Sequence, residues 1–224
     1  HPMNKSLLAL ATGSFALGFA EFVMMGILPD IASDLHVSIA EAGHLISAYA
    51  LGVCVGAPML ILARKHPLKR ILLVLVAVIM AGNVCAALAP NFWTLMAARF
   101  VSGLPHGAYF GVGSIAAEKL ADKGKDSEAV SIMIAGMTIA NLLGVPLGTA
   151  LSSMLSWRVT FLLVGCWGMI VLYYIWRWIP PVENLPDTGF RGQFRFLRSP
   201  APWLLIFATM LGNGGVFCWY SYVS

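Results

Sequence analysis

The chain alternates between long apolar runs and short polar stretches. A membrane-spanning helix needs about 20 predominantly apolar residues to cross roughly 30 Å of hydrocarbon. Seven runs have this length, at approximately 7–28, 41–63, 70–89, 92–117, 129–151, 158–179 and 201–223. Helices are expected in all seven, because transmembrane barrels are built from short strands of alternating polarity instead. The pattern predicts an all-α integral membrane protein.

The composition supports this class. Apolar residues make up 59% of the chain and charged residues 11%, whereas a soluble domain is about 45–50% apolar and about 25% charged. The formal charge of +4 does not indicate a nucleic-acid partner, because the basic residues lie in short loops. No metal or cofactor is expected, since no zinc-ligand spacing occurs. The four cysteines lie inside apolar runs and are interpreted as small buried residues: Cys54, Cys85, Cys166 and Cys218.

The basic residues predict an orientation. With the N-terminus in the cytoplasm, 12 of the 14 basic residues lie on the cytoplasmic side, as the positive-inside rule expects. They are Lys5, Arg64, Lys65, Lys69, Arg70, Lys119, Lys123, Lys125, Arg177, Arg191, Arg195 and Arg198. The exceptions are Arg99, inside a span, and Arg158, at an outer helix end.

Four parts are expected along the chain. They are residues 1–2, a remnant outside the natural sequence; 3–179, a six-helix transmembrane bundle; 180–200, a cytoplasmic linker; and 201–224, the first helix of an incomplete C-terminal bundle. The linker predicts a short basic amphipathic helix on the inner leaflet. Its residues at helical spacing are Phe190, Arg191, Phe194, Arg195, Leu197 and Arg198. Since no polar tail follows the seventh span, the sequence is interpreted as part of a longer transporter.

A short internal repeat divides the six-helix bundle. Gly56-x-Pro58 lies in the second span and Gly144-x-Pro146 in the fifth. These spans run in opposite directions and occupy the second position of two three-helix units. The repeat predicts two inverted three-helix repeats, an arrangement found in many transporters.

Two charged residues lie at the same membrane depth. Glu21 is seven residues from the outer end of the first span, and Arg99 is seven residues from the outer start of the fourth. At 1.5 Å per residue both are about 10 Å below the outer surface. Equal depth allows an ion pair or a shared water cavity. Ionisable residues inside a membrane mark functional sites by default, so both are candidates for proton coupling, although a static pair between two helices is the alternative.

The fourth span carries further polar residues on one face. Arg99, Gly103, His106 and Phe110 recur at helical spacing, so they share a face that should point into the bundle. His106 could relay protons, because imidazole titrates near neutral pH. It could equally bond a backbone carbonyl freed by Pro105. The residues expected to line a substrate cavity are Met24, Tyr49, Phe110 and Asn141.

Several motifs resemble those of the major facilitator superfamily, in its drug/proton antiporter branch. Arg99-x-x-Ser-Gly103 with His106-Gly107-Ala108 resembles the fourth-helix motif, whose arginine is linked to proton coupling. The stretch from Gly136 to Gly148 resembles the fifth-helix antiporter motif, although Val145 splits its usual Gly-Pro pair. The motif residues expected to permit close helix contact and bending are Gly103, Pro105, Gly107, Gly144, Pro146 and Gly148.

Other strings resemble smaller groups within that superfamily. Residues 20–29 are similar to the first-helix signature of the sugar-efflux and chloramphenicol-resistance group. Four further stretches resemble the AraJ type of arabinose efflux permease, at residues 105–113, 136–138, 156–158 and 197–203. The resemblance implies a twelve-helix protein, of which about five helices are absent here.

The loop after the second span departs from the family pattern. That pattern carries an acidic residue that acts as a conformational latch, but Arg64 stands at its position and Pro67 at that of a glycine. The basic end remains at Lys69 and Arg70, and Lys65 adds a further positive charge. A charge latch of the usual kind is therefore not expected on this cytoplasmic loop.

The resemblance implies a secondary active transporter of the bacterial inner membrane and no enzymatic activity. It would export a small solute, such as arabinose or a related compound, by alternating access in exchange for protons. Glu21 would take up a proton outside and release it inside, and Arg99 would tune its proton affinity. The expected partners are the substrate, protons, the lipid bilayer and the absent C-terminal helices.

Four alternatives remain open at this point. A multidrug/proton antiporter and an uncoupled facilitator both fit the same helices. A seven-helix receptor would need an extracellular N-terminus, against the positive-inside orientation. An intramembrane protease could use Ser114 as nucleophile, but spans five to seven contain no histidine.

Overall fold

A computed structural model of the chain describes residues 2–182, 184, 192 and 195–222. Every regular element in these ranges is helical. The α-helices are α1 (Pro2–Asp34), α2 (Ile39–Met59), α3 (Leu68–Ala87), α4 (Phe92–Leu120), α5 (Asp126–Met154), α6 (Trp157–Trp178) and α7 (Pro200–Tyr222). Short 3-10 helices cover Leu60–Ala63, directly after α2, and Arg195–Arg198, before α7. Helices are present at all seven predicted spans.

The chain divides into two compact units. Residues His1–Leu185 contain α1 to α6, and Pro186–Ser224 contain α7. Within the described residues, six of the helices are long and apolar enough to cross a membrane. The helix α4 is 29 residues long but is not among these six, because its polar residues lower its hydropathy. Several helices extend past the apolar runs, since polar residues at the interface continue the helical backbone.

Reciprocal capping boxes begin two of the described helices. Ser38 and Glu41 form a reciprocal capping box at the start of α2. Asn91 and Thr94 form a second at the start of α4. Each box satisfies backbone N–H groups that the first helical turn leaves without partners. The second box fixes the start of α4 shortly before the stretch that carries Arg99.

The helices pair in two equivalent sets. α1 packs most closely on α5 and next on α6, while α4 packs most closely on α2 and next on α3. α3 also packs on α6, so the third helix of one set meets the third helix of the other. This is the pairing expected if α1–α3 and α4–α6 are the two repeats that the Gly-x-Pro sequences predict.

The buried apolar side chains form two clusters that leave a polar zone on α4. One cluster contains Leu95 and Ala98 of α4, and the other contains Tyr109, Val112, Ala116 and Ala117 of the same helix. The intervening stretch carries Arg99 and His106, both buried. The prediction that this face of α4 points into the bundle is confirmed for Arg99, Gly103 and His106, and Phe110 is partly buried.

Two sequence-based interpretations change here. All four cysteines are exposed, not buried, because in a membrane protein the outward helix faces are apolar too and can hold a small thiol. Of the predicted linker helix, residues 195–198 form a 3-10 helix. Phe190, Arg191 and Phe194 lie outside the described residues.

Candidate functional site

Glu21 lies on the inner side of α1 with its carboxyl group largely buried. Its side chain is 18% exposed, and that of His106 is 11% exposed. The carboxylate oxygen Oε2 has no hydrogen-bond partner in the described part of the chain. It lies 3.8 Å from His106 Nε2 on α4. The ionisable partner facing Glu21 is therefore a histidine.

A tyrosine holds the other nitrogen of this imidazole. The Tyr49 hydroxyl on α2 lies 2.8 Å from His106 Nδ1, and both residues are buried. The two rings meet edge to face, with centroids 5.7 Å apart and an interplanar angle of 89°. His106 also contacts Phe110, with ring centroids 5.2 Å apart. These contacts fix the direction in which His106 points, so that Nε2 faces α1.

Arg99 is buried beside this group but does not bind the Glu21 carboxylate. It is 1% exposed, and one terminal nitrogen donates a 2.9 Å hydrogen bond to the carbonyl of Ala20. Its guanidinium carbon lies 4.4 Å from the centroid of the Tyr49 ring and 5.6 Å from that of Phe161, within the range of cation–π attraction. Equal depth allowed an ion pair or a shared water cavity between Glu21 and Arg99. The structure describes both residues, and it shows no ion pair within 4.0 Å between them.

Glu21 and His106 occupy corresponding places in the two repeats. Glu21 is the third residue after Gly18, and His106 is the third residue after Gly103. A Cβ on Gly103 would meet Tyr49 and Gly52 of α2, and a Cβ on Gly18 would meet Met137 and Ala140 of α5. These contacts match, because Tyr49 and Met137 each lie seven residues before the glycine of a Gly-x-Pro sequence. The repeat therefore brings an acid and a base together near its symmetry axis.

The four residues expected to line a substrate cavity are placed very differently. Met24 is fully buried within an apolar cluster and Tyr49 is 2% exposed, so both pack inside the bundle in this structure. Phe110 is half-buried against His106, and Asn141 is exposed on α5. Helical spacing shows which residues share a face, but it does not distinguish a cavity wall from a packed interface.

The motif glycines lie where helices cross closely. A Cβ on Gly103 would lie against the backbone of Tyr49 and 3.2 Å from Gly52 Cα. A Cβ on Gly107 would lie 3.1 Å from Ala57 Cβ, and one on Gly144 would lie 3.4 Å from Phe22 Cβ. Gly148 faces Val23 of α1. Pro105 and Pro146 lie within α4 and α5, which continue through them.

Two basic side chains that follow α2 donate hydrogen bonds to backbone carbonyls. Arg64 donates a 2.9 Å hydrogen bond to Ile61, and Lys69 donates one of 2.7 Å to Trp176. The carbonyl of Lys65 accepts from the side chain of Asn184. Arg70 lines a mostly apolar groove of about 400 Å³ between α2, α3 and α4. The hydrogen bond of Lys69 links the start of α3 to α6.

The helix ends away from the basic loop carry a polar network that the sequence analysis does not predict. Asp34 accepts a 2.9 Å hydrogen bond from the Trp157 indole and lies 3.6 Å from the Arg158 guanidinium. Arg158 also donates to the carbonyls of Ala87 and Ala89 at 3.2 and 2.5 Å. The network ties the ends of α1, α3 and α6 together. Its one sequence signal is Arg158, a cation on the side where positive charge is otherwise scarce.

Comparison with known proteins identifies the family. The family model described as Major Facilitator Superfamily matches residues 10–224. "Putative transporter AraJ" of Escherichia coli (strain K12) is 50% identical over 222 residues, which is 99% of this chain and 56% of the relative. The "Chloramphenicol resistance protein" of Streptomyces lividans is 32% identical over 227 residues, 99% of this chain and 58% of the relative. The "Probable sugar efflux transporter" of Helicobacter pylori (strain G27) is 29% identical over 211 residues, 94% of this chain and 54% of the relative.

A solved structure shows the same fold. The bacterial homologue of the human lysosomal transporter Spinster, solved inward-facing and unoccupied, matches with a TM-score of 0.78 at 18% identity, over 99% of this chain and 54% of that chain. The chain thus spans about half the length of the relatives it matches. The predicted all-helical membrane fold is confirmed, and the relatives are named as transporters and a resistance protein rather than receptors. The chain belongs to the Major Facilitator Superfamily.

Proposed function

We propose that the native protein is a secondary active transporter that exports a small solute from the cytoplasm in exchange for protons. A sugar such as arabinose, or a related compound, is the proposed substrate. Family membership and the relatives named as transporters support this class of activity. Because the relatives are nearly twice as long as the matched region, the proposed substrate cavity is shared between this bundle and a second one.

The Glu21–His106 pair is the observation that carries the proposal. A carboxyl group with a buried, unpartnered oxygen faces one imidazole nitrogen at 3.8 Å. The charged and neutral forms of such a buried group interact very differently with their surroundings. A change in access from one side of the membrane to the other therefore changes the proton occupancy of Glu21. This is the property that proton antiport requires.

The proposed cycle uses both central helices. Glu21 on α1 takes up a proton when the site opens outward and releases it when the site opens to the cytoplasm, and solute leaves in exchange. The imidazole of His106 on α4 faces that carboxyl group, with Nε2 3.8 Å from Oε2. Arg99 provides a fixed positive charge next to the pair. We place the N-terminus in the cytoplasm of a bacterial inner membrane, supported by the distribution of the basic residues.

Replacement of Glu21 tests the proposal directly. In proteoliposomes with an imposed pH gradient, Glu21→Gln in the native protein is expected to abolish proton-driven export, because glutamine keeps the shape but carries no titratable proton. Glu128→Gln is the matched control, since Glu128 is an exposed residue at the start of α5 with a 4.0 Å ion pair to Lys125. Retention of full export by Glu21→Gln, with Glu128→Gln also active, would remove Glu21 from proton coupling.

Drug efflux is the second candidate, favoured by the similarity to the chloramphenicol resistance protein. Counterflow of labelled arabinose and of labelled chloramphenicol separates the two substrate classes. The same assay with and without a pH gradient separates an antiporter from an uncoupled facilitator. A rate that does not change with the gradient would exclude proton coupling and retain transport.

A further inference from the structure

Among the residues that the structure describes, the hydroxyl of Tyr49 has one hydrogen-bond partner. It lies 2.8 Å from His106 Nδ1, and Tyr49 is 2% exposed. A hydroxyl has one hydrogen to donate, and a buried donor without an acceptor is unfavourable because it loses its hydrogen bonds to water without replacement. If Nδ1 carried a proton and donated to the hydroxyl, the hydroxyl hydrogen would have no acceptor there. The arrangement in which Tyr49 donates to Nδ1 satisfies both groups.

Arg99 favours the same direction of hydrogen bonding. Its guanidinium carbon lies 4.4 Å from the centroid of the Tyr49 ring and is held there by the hydrogen bond to the carbonyl of Ala20. A cation over the ring draws electron density away from the phenol oxygen. The O–H dipole is thereby strengthened, so Tyr49 becomes a better donor and a poorer acceptor toward His106.

The other imidazole nitrogen completes the argument. In a neutral imidazole one nitrogen donates and the other accepts. When Nδ1 accepts from Tyr49, the proton resides on Nε2, and Nε2 is the atom that lies 3.8 Å from Glu21 Oε2. The opposite tautomer would point a lone pair at a carboxylate oxygen that has no other hydrogen-bond partner among the residues described.

We propose that Tyr49 is a positioning residue that holds neutral His106 in the tautomer with its proton on Nε2. His106 then presents an N–H group to Glu21, and the exchanged proton resides on the carboxyl group rather than on the imidazole. Arg99 acts on the pair through the Tyr49 ring, not through an ion pair with Glu21. The consequence for transport rests on the function proposed above, whereas the tautomer is a property of the three side chains.

The tautomer is measured by ¹⁵N NMR of the native protein, labelled at histidine and reconstituted in lipid nanodiscs. The His106 signals are assigned by their loss in His106→Gln, since the chain has 5 histidines. The expected spectrum has a protonated Nε2 and an unprotonated Nδ1. In Tyr49→Phe, His106 is expected to populate both tautomers. A native spectrum with the proton on Nδ1, or on both nitrogens, overturns the proposal without any variant.

Tyr109→Phe is the matched control. Tyr109 is as deeply buried as Tyr49, and its hydroxyl donates a 2.9 Å hydrogen bond to the carbonyl of Leu10. Its removal is expected to leave the His106 spectrum unchanged. An unchanged spectrum in Tyr49→Phe, with that variant folded, contradicts the positioning role of Tyr49.

Transport gives a second readout. The titratable side chains in contact with the His106 imidazole are Glu21 on α1 and Tyr49 on α2, with Arg99 on its own helix beside Tyr49. Tyr49→Phe is expected to shift the pH profile of exchange, and Tyr109→Phe is not. If Glu21→Gln exports normally while the NMR result holds, the proposed role of Glu21 in proton coupling fails and the tautomer assignment stands. If the pH profile responds as expected but the NMR spectrum shows the proton on Nδ1, the tautomer assignment fails and the proposed function stands.

Discussion

Two helix crossings in this bundle share a backbone arrangement and differ in chemistry. Where α2 crosses α4, Gly103 lies against the backbone of Tyr49 and Gly52. Where α5 crosses α1, Gly136 lies against the backbone of Ala11 and Phe15. At each crossing a missing side chain lets two backbones approach closely, as small residues do in membrane helices.

The side chains at equivalent positions are not alike. Tyr49 in the first repeat corresponds to Met137 in the second, since each lies seven residues before a Gly-x-Pro glycine. Arg99 corresponds to Ser14, since each lies four residues before Gly103 or Gly18. The α2–α4 crossing therefore carries three buried polar side chains, those of Tyr49, Arg99 and His106. The α1–α5 crossing adds one side chain to this group, that of Glu21. The repeat supplies the scaffold, and a few substitutions in one half supply the candidate site.

The largest expected effect tests the shared scaffold. Gly103→Ala and Gly136→Ala should each lower the free energy of unfolding by about 1–3 kcal/mol, because the new methyl group overpacks against backbone atoms that cannot rotate away. Gly111→Ala is the control on α4, since its Cβ would lie 3.9 Å from the nearest atom, Leu60 Cδ2. Denaturation in detergent measures all three. If only one of the two crossings were sensitive, close contact between a glycine and the facing backbone would not be a shared source of their stability.

A smaller effect is expected from the polar half. Arg99→Lys should lower the free energy of unfolding by about 1–2 kcal/mol, because an ammonium group cannot keep the planar contacts with Tyr49 and Phe161. Ser14→Ala at the equivalent position of α1 should cost less, since the hydrogen bond of Ser14 within the described part of the chain goes to the carbonyl of Leu10 in its own helix. The same denaturation assay compares them. Equal losses would mean that the contacts of Arg99 add nothing specific to this crossing.

The smallest effect on stability is expected at Asn141. This residue is exposed on α5, and Val53 is its counterpart on α2, so Asn141→Val makes the second repeat resemble the first. A change within about 0.5 kcal/mol is expected for an exposed substitution. If Asn141 lines the proposed substrate cavity, the KM for transport should rise while stability stays constant. An unchanged KM would place Asn141 outside that cavity.

The sequence predicts the helices and their burial better than it predicts contacts between them. Apolar length locates the spans, and the spacing of Arg99, Gly103 and His106 identifies the buried face of α4. Depth alone suggested that Glu21 could meet Arg99. The actual neighbour is His106, because side-chain contact depends on how α1 and α4 are rotated and crossed, which no periodicity records.

Other features depend on contacts between distant parts of the chain. The hydrogen bond between Tyr49 and His106 requires the glycine crossing of α2 and α4, and Tyr49 alone resembles any buried tyrosine. The outward exposure of the cysteines depends on which apolar face meets lipid and which meets protein. Composition treats these two faces as equal, since lipid and protein core are both apolar.

The central claim is that Glu21 carries the exchanged proton, and pH-difference infrared spectroscopy tests it most directly. The native protein in lipid is compared before and after acidification, and the carbonyl stretch of a newly protonated carboxyl group is recorded. The account predicts a band from a buried carboxyl group that disappears in Glu21→Gln and remains in Glu128→Gln. The same band at full intensity in Glu21→Gln would show that the proton resides elsewhere and would contradict the account.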